Sequence, residues 1–157
     1  MKLSLRAIGK GHESYVNEGV QDFTKRISNY FPVEWMIIPP PKNAGMLSET
    51  ELRKRESELI LDGLKEDDYL VALDEKGKSL SSETLSDFLA ERASQSTRKI
   101  VFIIGGAFGL HESVLNKAKL KWSLSALTFP HQLVRLILAE QVYRACTILR
   151  NEKYHHK

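Results

Sequence analysis

Cysteine is nearly absent from the 157 residues, with Cys146 the single example. No intrachain disulfide can form, so a reducing compartment is expected and the core itself must hold the fold. Cys146 lies in an apolar helical pattern and reads as a small buried hydrophobe. Long apolar runs are missing too. The longest, residues 100–104 and 136–139, fall far short of a bilayer crossing. The first residues, Met1-Lys2-Leu3-Ser4-Leu5-Arg6, carry charge where a secretion signal would be apolar. The expectation is a cytoplasmic protein without a membrane partner.

Complete phosphate-binding motifs are also lacking. Gly9-Lys10-Gly11 follows the first predicted strand, but Ser14 stands where a dinucleotide fingerprint needs its third glycine. Gly77-Lys78-Ser79 imitates the end of a P-loop, but Ala72 occupies the position of the first glycine, and the triplet reads as a turn. His131, His155 and His156 have no cysteine or acidic cluster at ligand spacing, so no metal is expected.

What is present suits one globular α/β domain over residues 1–157. Hydrophobic residues make up 42% and charged residues 27%, both ordinary for a protein with a real core. Leu3, Leu5 and Ala7 alternate with polar residues as in a half-buried strand. Val16, Val20, Phe23, Ile27 and Tyr30 form one helical stripe that Pro32 ends. Residues 33–38 form a second strand, and the prolines at 39–41 open a loop. Ser48 and Glu51 have capping-box spacing for a helix burying Leu52, Leu59 and Ile60. Residues 69–74 read as a central strand. Ser81 or Ser82 caps a helix carrying Leu85, Phe88 and Leu89. Residues 100–104 form a strand, 113–119 a short helix, 122–127 a fifth strand, and a long helix follows Phe129-Pro130-His131. Strand and helix alternate throughout, which predicts a mainly parallel sheet flanked by helices.

Three features point to chemistry. Gly105-Gly106-Ala107-Phe108-Gly109 follows the fourth strand, where backbone can approach a ligand closely or simply turn. Asp74 ends another strand and suits a ribose hydroxyl or a turn. The stretch from Leu124 to His131 mixes small and apolar residues, as a backbone-rich pocket wall or a buried loop would. The net charge of +3 is small, but Lys117, Lys119, Lys121, Arg135, Arg144, Arg150, Lys153 and Lys157 crowd the last third. That distribution fits a solvated basic face or a polyanionic partner.

The order and spacing of several segments resemble the RlmH family of bacterial rRNA methyltransferases in the SPOUT superfamily. They are Leu73-Asp74-Glu75-Lys76-Gly77-Lys78, Ile104-Gly105-Gly106 with Gly109-Leu110, the run from Leu124 to His131, Arg135, Glu140-Gln141-Val142-Tyr143-Arg144-Ala145 and Tyr154-His155. The resemblance spans effectively the whole chain. It implies a SPOUT-type α/β fold whose residues from about 70 to 157 thread a C-terminal trefoil knot, a rare topology. It implies S-adenosylmethionine as cofactor, contacted by Leu73, Gly105, Leu124, Ser125, Ala126, Leu127, Thr128 and Phe129. It also implies a homodimer that methylates N3 of a pseudouridine in 23S rRNA within the assembled ribosome.

N3 is an imide nitrogen and needs a base, or cations that stabilise its anion. The candidates are Tyr154, His155, Arg135, Arg144 and Glu140. The tail Tyr154-His155 would reach the partner's pocket, with Arg135 and Arg144 positioning phosphate or offsetting charge. Glu140 and Arg144 also suit a plain helix ion pair. Two alternatives stay open: a related SPOUT enzyme acting on tRNA or another rRNA site, and an RNA-binding module without cofactor.

Overall fold

The computed structural model describes residues 1–156; Lys157, the last of the basic residues noted above, lies outside them. Strand β1 (Lys2–Ile8) leads to α1 (Ser14–Ile27), β2 (Val33–Ile38) and α2 (Glu49–Asp62). Next come β3 (Tyr69–Ser79), α3 (Ser82–Ser94), β4 (Lys99–Ile104) and α4 (Glu112–Lys117). Strand β5 (Leu120–Ser123) and the long α5 (His131–Leu149) complete the order. Among the described residues five strands form one sheet, ordered β2-β1-β4-β3-β5, and every pairing is parallel.

Strand alternation sorts the core into two layers. Leu3, Leu5, Val71, Ile100 and Phe102 face α1, α3 and α5, meeting Ile27, Leu85, Leu89, Leu138 and Val142. Ile8, Leu70, Ala72, Val101 and Ile103 face α2 and α4, meeting Ile60 and Val114. A parallel sheet covered on both faces needs both sets to be apolar, which is why β4 reads as continuous Ile-Val-Phe-Ile-Ile. Cys146 is buried in the first layer, as its pattern predicted, and burial pushes its thiol up to about 12.

Several local expectations are corrected. β1 is buried on both faces: Arg6 packs inward, donating from Nε to Ser4 Oγ (3.0 Å) and from Nη1 to Gly63 O (2.7 Å). Polar alternation imitated a solvent face because these bonds hide the guanidinium. α1 ends at Ile27, before Tyr30 and Pro32, with Ser28 Oγ donating to Lys25 O. On α2 the buried side runs through Glu56, Ser57 and Ile60, leaving Leu59 41% exposed. Ser48 and Ser81 do cap their helices, accepting from Glu51 N–H and Thr84 N–H.

The largest differences concern β3 and β5. Gly77-Lys78-Ser79 is not a turn but the end of an eleven-residue β3. Leu73 pairs with Ile104 and Trp122, the register then slips, and β3 meets β5 again at Lys78. Gly77 permits this crossing, since a Cβ there would lie 2.6 Å from the carbonyl carbon of Lys121. β5 stops at Ser123 rather than running to Leu127, because Ser123 Oγ and Ser125 Oγ bond backbone within the next few residues and turn the chain.

Candidate active site

The parallel register sets Leu73, midway along β3, level with the carboxyl ends of β4 and β5, and a cavity of about 560 Å³ opens just beyond them. That is where open α/β sheets hold ligands, and the volume suits a small-molecule cofactor. Three segments build its walls. The slipped stretch of β3 supplies Leu73, Asp74, Glu75 and Lys76. The Gly105–Gly109 loop is drawn tight by Gly109 N–H donating to Gly106 O (3.0 Å), with Gly109 at φ +80°. Gly105 has no room for a side chain: a Cβ would meet Leu110 Cγ at 2.9 Å. The loop after β5 supplies Leu124, Ser125, Leu127, Thr128 and Phe129, and Ser125 Oγ accepts from Leu127 N–H (3.0 Å) to hold its bend.

The chemistry of the lining is mixed. Leu73, Leu124, Phe129 and Val134 offer an apolar slot, while Asp74, Glu75 and Glu112 bring carboxylates. Trp122 Nε1 and Arg53 Nε are buried without a hydrogen-bond partner among the described residues, and both residues border the cavity. Unsatisfied buried donors at a cavity wall are the groups a ligand completes. His131, also in the lining, is held below the ordinary histidine range by burial and by the Arg135 charge, against an opposing backbone interaction with Gly106.

At its first turns α5 clamps the loop after β1. Arg135 Nη1 donates to Lys10 O (2.8 Å) and lies 3.4 Å from His12 Nδ1, while Gln132 accepts from Glu13 N–H (2.9 Å). Arg135 is only 2% exposed, and burial lowers its pKa. At its far end α5 carries a different cluster. Glu140 receives Arg144 Nε (3.0 Å), Arg144 Nη2 and the Tyr154 hydroxyl (3.1 Å). The Arg144 guanidinium lies over the Tyr154 ring at 4.7 Å, and its Nη1 is 3.4 Å from His155 Nδ1. His155 Nε2 is 3.0 Å from a Glu83 carboxylate oxygen at the start of α3. Burial and Glu140 raise the Tyr154 pKa, and the Glu140 hydrogen bond raises that of Arg144.

A family model described as "Predicted SPOUT methyltransferase" matches residues 1–155. The chain belongs to the SPOUT methyltransferase family. A Parabacteroides distasonis relative named "Ribosomal RNA large subunit methyltransferase H" is 45% identical over 157 residues, covering 100% of both chains. A Cytophaga hutchinsonii relative of the same name is 43% identical over 156 residues, covering 99% of this chain and 100% of its own. The solved structure of a probable methylase family protein from Haemophilus influenzae has a TM-score of 0.53 at 12% identity. It matches 99% of this chain and 70% of its own, a likeness of fold alone.

In this SPOUT chain the sequence-predicted residues fall into three places. Leu73, Gly105, Leu124, Ser125, Leu127, Thr128 and Phe129 all border the cavity, whereas Ala126 is not in its lining. Tyr154, His155 and Arg144 gather at the far end of α5, outside the lining. Arg135 joins neither group. Nine residues separate it from Arg144, which on a helix of 3.6 residues per turn puts the two on opposite sides. Arg135 is buried and holds the loop of Lys10 to His12. Arg53, Glu112 and Trp122 were missed. α2 and α4 give no motif, and only the fold brings them to the strand ends.

Proposed function

We propose that the chain methylates N3 of a pseudouridine in 23S rRNA, within assembled ribosomes, as a homodimer using S-adenosylmethionine. The observation that carries this reading is the convergence of the slipped stretch of β3 and the loops after β4 and β5 on one cavity, in a chain of the SPOUT methyltransferase family. The names of the relatives above, methyltransferases of large-subunit rRNA, support the choice of substrate. The knot over residues of about 70 to 157, in a single catalytic domain, belongs to the same reading.

The lining fits the cofactor. Its apolar slot suits an adenine ring, its free donors at Trp122 and Arg53 suit acceptors, and its carboxylates suit positive charge. When bound, S-adenosylmethionine supplies a methyl group on a positively charged sulfur that is electrophilic without further activation. The chain's task is to align N3 and to manage its proton.

The tail carries that task into the cavity of the second copy. Tyr154 stays a phenol near neutral pH, since burial and Glu140 both oppose its ionisation, so it serves as a stacking or donor group. Glu140 fixes Arg144, whose remaining donor Nη1 faces His155. On this reading Arg144 offsets the imide anion, and His155 accepts the N3 proton once the tail leaves Glu83 and frees its ring. Deleting residues 154–157 should abolish methyl transfer while calorimetry still detects cofactor uptake. Full activity in the shortened chain would overturn the role of the tail.

A further inference from the structure

We propose that Arg53 anchors the carboxylate at the amino-acid end of the cofactor, an assignment that rests on the cofactor reading above. Arg53 lies on α2 one turn before buried Glu56 and two turns before buried Ile60, on the side that α2 presents to the sheet. It borders the cavity, and its Nε is buried without a hydrogen-bond partner. Among the described residues it joins no ion pair within 4.0 Å. Glu56, the nearest acid on the same side, is instead packed toward Gly106.

The charge pattern around it is selective. Asp74, Glu75 and Glu112 line the cavity together with two long cations, Arg53 and the exposed Lys76. S-adenosylmethionine carries two positive centres, sulfonium and ammonium, and one carboxylate. The three carboxylates of the wall answer the positive centres, and a bordering guanidinium outside every ion pair of the described residues answers the negative one. Arginine suits it better than lysine would, because its planar fork meets a carboxylate with two parallel bonds.

The test is calorimetric titration with two probes, S-adenosylhomocysteine and 5′-methylthioadenosine, which share adenosine and sulfur but differ in the amino-acid end. Arg53→Gln should weaken S-adenosylhomocysteine by roughly tenfold to a hundredfold and 5′-methylthioadenosine by less than about twofold. Arg53→Lys should fall between the glutamine variant and the unaltered chain for S-adenosylhomocysteine. Equal weakening of both probes would mean that Arg53 only packs the wall and would overturn the anchor. Unchanged affinity for both would also overturn it, and would leave the guanidinium to an RNA phosphate. If the glutamine variant does not fold, the lysine variant decides alone: a selective loss supports the anchor and an equal loss overturns it. Uptake of neither probe by the unaltered chain would overturn the cofactor reading itself, an outcome distinct from all of these.

Discussion

Arg135 and Arg144 stand on one helix and carry the same charge, and their surroundings give them unlike work. Arg135 is sealed under the loop after β1 and bonds a backbone carbonyl there, so Arg135→Gln should destabilise the fold by about 2 kcal/mol. Arg144 is partly exposed in its pair with Glu140, so Arg144→Gln should cost only about 1 kcal/mol while removing most methyl transfer. Urea unfolding of both variants beside a methylation assay checks the contrast; equal stability losses would refute it. Cys146 gives a simpler check. With its thiol pushed up to about 12, it should resist thiol reagents at about pH 8 in the folded chain and react promptly in denaturant.

At the level of elements, the crossing of β3 over β5 depends on Gly77. Gly77→Ala drives a methyl group into the Lys121 backbone and should destabilise by about 1–3 kcal/mol, read as a lower urea midpoint. On α2, Glu56 is buried with no charge-favouring partner among the described residues, so burial raises its pKa. The folded state then holds the proton more tightly than the unfolded one. Stability from this group is greatest below the ordinary carboxylate range and falls as pH rises through the raised value. Glu56→Gln should therefore raise stability at neutral pH and flatten its decline above the ordinary carboxylate range; an unchanged pH profile would contradict this.

These elements also mark what the sequence made legible. β4 was readable because a doubly covered parallel strand must be continuously apolar, and the capped starts of α2 and α3 because Ser48 and Ser81 have few other uses at that spacing. β1 was misjudged, since Ser4 and Arg6 satisfy one another and Gly63 out of water. The extended β3 was hidden by Gly77-Lys78-Ser79, whose turn-like composition reflects a close strand crossing. Most of the cavity wall lay in recognisable loops, but Arg53 and Glu112 reach it from helices whose sequences say only that one face is wet.

Across the whole molecule, the proposed function divides between two regions of α5. Its first turns close the cavity through His131 and Val134, and its later turns carry Glu140 and Arg144, against which Tyr154 and His155 of the following tail are ordered. That cluster lies outside the cavity lining of its own chain, the arrangement expected if a second copy completes each site. Active-site complementation follows: at a cofactor concentration too low for an Arg53→Gln chain to work alone, mixing it with a chain lacking residues 154–157 should restore part of the activity. No recovery on mixing would argue for a site completed within one chain.

The central claim is tested most directly by supplying S-adenosylmethionine with a labelled methyl group. The acceptors are ribosomes from cells lacking the modification, protein-free 23S rRNA and tRNA, followed by nuclease digestion and mass spectrometry. The account predicts label in the ribosome sample, on 23S rRNA, as N3-methylpseudouridine, and little or none on the other acceptors. Label on tRNA, or no transfer to ribosomes from a chain that binds the cofactor, would contradict it.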